Sequence, residues 1–201
     1  MKVLCGMVLT LGVAVSASAT TYPLTITDLD GQQHTFSKEP RHIILQDGRD
    51  VLTLALLDRD NPFERVVAWN NLPKKQDTQT WQMLKARWPQ AEKIVDMGFN
   101  DQGQVNLESV LAQHPDVMIA QLRAKPALIQ SGVIRTLENL HIPVVFVDYE
   151  LHPAQNTAKS VSLLGEILNR EDEARDYTTF YQQKMSAITN TVKSVETKPT
   201  V

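Results

Sequence analysis

Residues 41–57 read RHIILQDGRDVLTLALL, and this stretch decides the fold class. Ile43–Gln46 predict a buried β-strand, and Val51–Leu57 predict the apolar face of a helix. The turn between them, Asp47–Asp50, offers one glycine, two acids and one arginine. A strand that passes through a short turn into a helix is the repeating unit of α/β folds.

The same alternation of strand and helix continues along the chain. A hairpin signal around Asp30-Gly31 precedes it. The other predicted elements are strands at 65–69, 93–97, 116–120 and 142–148 and helices at 50–58, 81–87, 107–114 and 126–140. We therefore predict an α/β fold with a mostly parallel sheet wound with helices. After Pro153 the pattern predicts a helix over 157–168 and a long helix over 171–196, the second of roughly 37 Å.

The first residues predict export. Lys2 is followed by the uncharged apolar run Val3–Val15 and then by Ser16–Ala19, the pattern of a secretory signal peptide cleaved after about Ala19. The run is too short to cross a bilayer of about 30 Å as a helix. Cys5 lies near its start and not at its end, so a lipid anchor is not expected. We predict a soluble exported product that is not embedded in the membrane after cleavage.

Composition argues against several classes of protein. The formal net charge of −3 is mildly acidic, whereas nucleic-acid binding requires a strongly basic face. The one cysteine leaves with the predicted signal peptide, and the five histidines are scattered, so no metal site or cofactor is expected. The sequence has no Gly-x-Gly fingerprint, no Gly-x-Ser-x-Gly elbow and no defensible pair of catalytic carboxylates. No catalytic residue is therefore predicted.

Several side chains follow the predicted strands directly, where ligands of parallel sheets bind. Arg49 and Arg123 each present a forked donor that suits carboxylates and other paired oxygens. Trp69, followed by the polar Asn70, is a candidate stacking surface or a half-buried lid, and Tyr149 is a similar but weaker candidate.

Two residues, Arg49 and Glu92, also have a plainer interpretation. Arg49 neutralises its neighbours Asp47 and Asp50 at a surface turn, which contributes little free energy. Glu92 is a solvated charge or, less strongly, a contact for docking to a partner protein.

Several segments together are similar to a known family. They are YPLTITDLDGQQHTF, PRHIILQDGRDVLTLALL, VNLESVLAQHPDVMIA, LENLHIPVVFVD and SLLGEILNREDEARDY. The chain resembles the substrate-binding proteins of iron–siderophore and cobalamin ABC importers, and VNLESVLAQHPDVMIA is the most specific match. The resemblance extends over essentially all of the chain after residue 19.

The resemblance implies two α/β lobes joined by a long helix, with the ligand in the cleft between them. Residues 1–19 are then the signal peptide, 20–152 the N-terminal ligand-binding lobe, 153–196 the connecting helices and 197–201 a stub of a second lobe, so the chain is expected to be truncated. The implied partners are a ferric siderophore and an inner-membrane ABC permease, and the protein is expected to be a monomer. The ligand residues would be Arg49, Trp69, Asn70, Arg123 and Tyr149.

Three other functions remain open from the sequence. A family member of this kind can instead bind cobalamin or haem, and haem favours Tyr149 or His152 as an axial ligand. A metal-chelatase-like or Rossmann-like enzyme can use the same sheet. The chain can also be a truncated product without function, because half a cleft offers half of the contacts.

Overall fold

The strand that begins at Ile43 lies at the centre of a five-stranded parallel sheet in the computed structural model, which describes residues 20–98 and 105–193. The strands are β1 Leu24–Thr27, β2 Gln33–Phe36, β3 Ile43–Leu45, β4 Val66–Trp69, β5 Val95–Asp96, β6 Val117–Gln121 and β7 Val144–Val147. The helices are α1 Val51–Leu57, α2 Leu72–Gln76, α3 Thr78–Arg87, α4 Leu107–Leu111, α5 Lys125–Gln130, α6 Val133–Asn139, α7 Pro153–Leu168 and α8 Glu171–Lys193. Strands β1 and β2 form a separate antiparallel hairpin.

The order of the sheet is β5-β4-β3-β6-β7, and every pairing in it is parallel. The prediction of an α/β fold with a mostly parallel sheet is confirmed. From β3 the chain moves outward through β4 and β5, and it then returns to the other side of β3 as β6. The order therefore reverses between β3 and β6, the position where open α/β sheets form a crevice for ligands at the carboxyl ends of their strands.

Both faces of the sheet are covered, which explains the continuous apolar runs of its strands. Ile43 and Leu45 pack into one core with residues of α1, α7 and α8, and Ile44 points to the other side. The second core contains residues of α4, α5 and α6. Alternate residues of β3 thus reach opposite cores, as the two-residue period of a strand requires.

The structure corrects two predicted helices and contains a third helix that was not predicted. The single helix over 126–140 is two helices, α5 and α6, because Gly132 takes a left-handed backbone conformation with φ of 76°. The helix over 107–114 ends at Leu111. The polar stretch before α3 contains the short helix α2, whose N-terminus is capped by Asn71 accepting a hydrogen bond from the Lys74 amide at 3.0 Å.

The two last helices are separated at Asn169, where φ is 55°. Helix α8 has 23 residues and packs against α1 and α7 through its first half. Among the residues that the structure describes, no helix is both long and apolar enough to span a membrane. The predicted signal peptide, the last residues of the predicted connecting helix (194–196) and the predicted stub lie outside the described residues.

Candidate functional site

Four charged side chains meet at the carboxyl edge of the sheet, and we refer to them as the arginine rim: Asp47, Arg49, Arg123 and Glu150. Asp47 and Arg49 follow β3, Arg123 follows β6 and Glu150 follows β7. The rim thus lies at the reversal point of the strand order. The structure brings together the two arginines that the sequence singled out.

Asp47 is the centre of the rim. Its carboxylate accepts hydrogen bonds from Arg49 Nε at 2.9 Å and Nη2 at 2.5 Å, and from Arg123 Nη2 at 2.7 Å. It also accepts one from the Arg49 amide at 3.0 Å, which closes the turn after β3. Burial acts to raise the pKa of Asp47, but the Arg49 hydrogen bonds and the charges of both arginines hold that pKa below its ordinary value. Asp47 is therefore an ionised, buried anchor for both guanidinium groups.

The two guanidinium groups are not buried with their anchor. The Asp47 side chain is 1% exposed, whereas the side chains of Arg49 and Arg123 are 48% and 35% exposed. A forked cation fixed from below and open above presents its remaining N–H donors to an incoming anion. Glu150, which is 41% exposed, bonds both arginines at 2.7 Å from this open side.

A buried polar layer lies beneath the rim. Asp50 accepts a hydrogen bond from the side-chain Nε2 of Gln121 at 2.6 Å. The backbone amide of Gln121 donates to Gln46 Oε1 at 3.1 Å. Asp50 Oδ2 has no partner among the described residues. Burial, and then the charge of Asp47, raise the pKa of Asp50 well above its ordinary value. The layer therefore favours the uncharged form of Asp50 next to the rim.

Gly48 has a packing role in the turn. A Cβ atom at this position would lie 2.1 Å from the Asn70 carbonyl oxygen and 3.2 Å from the Trp69 ring. Only glycine allows the turn after β3 to lie this close to the end of β4. The single glycine of the turn thus serves the contact between two strand ends.

The prediction that Trp69 offers a stacking surface is wrong. Its side chain is 0% exposed, and its ring packs against Phe63 at 5.4 Å and Trp81 at 6.0 Å between ring centres. The last residue of β4 points into the core because α3 brings Trp81 over it. Asn70 is also buried, and its Oδ1 accepts a hydrogen bond from Lys75 Nζ at 2.9 Å. The structure thus places Asn70 under the surface.

Tyr149 lies next to the rim with its hydroxyl directed inward. The ring packs against the core, and the hydroxyl is buried without a hydrogen-bond partner among the described residues. Burial, and then the charge of Asp50, raise the pKa of the Tyr149 hydroxyl. Tyr149 is partly exposed as a residue, so the structure offers a ligand only part of it.

The weaker candidate Glu92 lies elsewhere, on a 3₁₀ turn over Pro89–Lys93. Its side chain is exposed and lies 3.5 Å from Lys85 Nζ. Sequence reasoning did not identify Glu150 or Gln121 as parts of the site. Both directly follow or end strands of the sheet, so their strand-end positions were the available signal.

The sequence model described as "Periplasmic binding protein" matches residues 66–201, more than half of the chain. The chain belongs to the periplasmic binding protein family. The match confirms the resemblance seen in the sequence, and the members of this family are substrate-binding proteins. Comparison with curated protein sequences gives no significant match.

The fold of this binding protein is similar to that of several solved structures. The TroA-like periplasmic binding protein FepB from Veillonella parvula gives a TM-score of 0.79 at 21% identity, over 88% of this chain and 51% of that one. An ABC-type Fe³⁺-hydroxamate transport protein from Saccharomonospora viridis gives 0.57 at 24% identity, over 86% and 58%. The haem-binding protein HmuT gives 0.53 at 14% identity, over 91% and 50%. This binding protein spans about half the length of these structures, and the likeness at such identities is one of fold.

Proposed function

We propose that this chain binds a ferric siderophore at the arginine rim and delivers it to an inner-membrane ABC permease. The observation that carries the proposal is the convergence of Arg49 and Arg123 on one buried carboxylate, with both arginine side chains partly exposed. They come from the two strand ends that flank the reversal point of the sheet, where ligands of such folds bind.

The chemistry of the rim suits an anionic iron chelate. Siderophores of the citrate, carboxylate and catecholate kinds carry negative charge and paired oxygens, which guanidinium groups bind with two parallel hydrogen bonds. The chelator fills the coordination of the iron, so the protein has to supply donors and not metal ligands. The likeness to a protein of Fe³⁺-hydroxamate transport supports iron chelates as the ligand class.

Haem is the second ligand class to be tested, because HmuT is among the similar structures. Of the two axial-ligand candidates, Tyr149 is poorly placed, since its hydroxyl is buried and its raised pKa disfavours the phenolate, whereas His152 is exposed. The arginine rim suits the paired oxygens of an iron chelate, and the hemin titration described below separates the two ligand classes.

The remaining parts of the proposal concern the whole protein. We place it in the periplasm after cleavage at about Ala19, with residues 20–152 as the ligand-binding lobe, 153–196 as connecting helices and 197–201 leading into a second lobe. The exposed Glu92 would contact the permease weakly. A monomer is expected.

The test is a titration of the protein with ferric citrate, a ferric tris(catecholate), hemin and cyanocobalamin, followed by tryptophan fluorescence. We expect quenching by the ferric anions. Replacing both rim arginines (Arg49→Ala with Arg123→Ala) should weaken binding by about 2 kcal/mol, roughly 30-fold, because charged hydrogen bonds to the ligand are lost.

Two further variants make this test specific. Arg135→Ala with Arg175→Ala removes the same charge from exposed positions on α6 and α8 and should leave binding unchanged. Arg49→Lys with Arg123→Lys keeps the charge near Asp47 but loses the forks, so it should fold and still bind more weakly. Unchanged binding by both rim variants would refute the assignment of the site, and a stable Soret band with hemin alone would favour haem.

A further inference from the structure

Glu150 occupies the open side of the rim in a way that resembles a bound anion. Its Oε1 accepts a hydrogen bond from Arg49 Nη2, and its Oε2 forms an ion pair with Arg123 Nε, both at 2.7 Å. One carboxylate thus bridges two guanidinium groups that come from different strand ends. This is the contact that the proposed function gives to an anionic group of the ligand.

We propose that Glu150 is an internal competitor for the ligand, a carboxylate that must leave Arg49 and Arg123 before an anionic chelate binds them. This inference rests on the proposed function. Glu150 then sets the affinity of the site and its preference for charged ligands.

The two carboxylates of the rim differ in how readily they can leave. Asp47 is buried and receives four hydrogen bonds, so moving it would leave a desolvated charge without partners. Glu150 is 41% exposed, and its carboxylate can turn into solvent at small cost because half-exposed ion pairs contribute little free energy. Only Glu150 can therefore be exchanged for a ligand.

The backbone around Glu150 is held by hydrogen bonds that do not involve the Glu150 side chain. The Asp148 carboxylate accepts hydrogen bonds from the amides of Glu150 at 3.1 Å, Leu151 at 2.8 Å and His152 at 3.1 Å. Asn156 Nδ2 donates a further hydrogen bond to Asp148 at 2.7 Å. Displacement is thus a change of side-chain rotamer and leaves the loop after β7 unchanged.

The charge balance of the rim gives the competitor its effect. With Glu150 in place, Arg49 and Arg123 are balanced by two carboxylates, and the rim has no net charge. When Glu150 turns away, an uncompensated positive charge faces the solvent. A ligand of at least one negative charge restores the balance, whereas a neutral ligand does not.

The experiment compares the Kd for ferric citrate of the wild-type chain, Glu150→Gln and Glu150→Asp. The glutamine variant should bind about three- to tenfold tighter, because two half-exposed ion pairs no longer compete. Glu150→Asp keeps the charge but is one methylene shorter and cannot bridge both arginines, so it should also bind tighter than wild type. Simple charge repulsion predicts instead that the aspartate variant binds like wild type.

Glu138→Gln is the matched control. It removes one negative charge from an exposed position on α6, next to the start of β7 and away from the rim, and it should leave the Kd unchanged. If the Kd of both Glu150 variants is unchanged or higher than that of wild type, Glu150 does not compete with the ligand, and the proposed function still stands. If no variant and no wild-type sample binds any ferric chelate, both proposals fall together.

Discussion

The two edges of the parallel sheet carry two ion-pair clusters of opposite construction. The carboxyl edge has the arginine rim, in which a buried acid holds two half-exposed arginines. The amino edge has a cluster in which Arg65, only 3% exposed, lies between Asp58 at 3.1 Å and Glu39. Arg170, from the link between α7 and α8, donates to the same Asp58 at 2.8 Å.

The difference separates two uses of arginine. Arg65 also donates to the Pro40 carbonyl at 3.2 Å, so its donors are engaged by groups from the segments before β3 and after α1. A buried cation with such partners joins chain segments and is not accessible to a ligand. The rim arginines have one buried partner, Asp47, and their other partner, Glu150, is 41% exposed. We therefore expect the amino-edge cluster to govern stability and the rim to govern binding.

The largest effect is expected from Arg65→Met. The substitution leaves the buried Asp58 with fewer partners, and the free energy of unfolding should fall by about 3–5 kcal/mol. Urea unfolding followed by circular dichroism measures it, with Arg135→Met as the exposed control. Ferric citrate binding by the folded variant should match wild type, and a loss below about 1 kcal/mol would mean that Arg65 does not join the segments.

Gly48→Ala breaks the rim without changing any of its charges. The added Cβ would lie 2.1 Å from the Asn70 carbonyl, so the turn after β3 has to move away from β4. Overpacking of this kind costs about 1–3 kcal/mol. Unlike Arg65→Met, this variant should also weaken ferric citrate binding, because Arg49 moves with the turn. Equal binding by Gly48→Ala and wild type would contradict the role of the turn.

Asp47→Asn tests the anchor of the rim through its pH dependence. The pKa of Asp47 is lowered, so its contribution to stability is present above the ordinary value of 3.8 and is lost as the pH falls through the lowered pKa. At pH 7 the variant should lose about 1–3 kcal/mol. The difference from wild type should shrink below pH 3.8 in urea unfolding measured from pH 2 to 7. A constant difference over that range would show that Asp47 is not held ionised by the arginines.

Asp50→Asn is expected to have the smallest effect and the opposite sign. The pKa of Asp50 is raised, so the folded state binds a proton that the unfolded state has released, and wild-type stability falls as the pH rises above 3.8. The variant lacks this loss and should be more stable than wild type at pH 7 by about 1 kcal/mol. The gain should vanish near pH 3, and destabilisation at pH 7 would show that the carboxyl is required where it lies.

The sequence predicted where the rim lies but few of the ion pairs within it. Arg49 and Arg123 directly follow strands of one parallel sheet, whose carboxyl ends share an edge, so their proximity followed from position alone. Glu150 is 101 residues from Arg49 along the chain, and no local pattern links the two. Trp69 also ends a strand, but whether a last residue points outward depends on the helix packed beside it.

What the sequence determined by itself is the α/β fold, the order of its elements and the edge at which the charged residues gather. These follow from hydrophobic periodicity and turn chemistry, which act over a few residues. The tertiary structure alone decided that Trp69 is buried beneath the rim, that Gly48 lies against Asn70 and that Asp47 and Glu150 share the two arginines. Those contacts join residues that are remote in sequence, and they exist only when packing of the whole chain brings the strand ends within a few ångströms of each other.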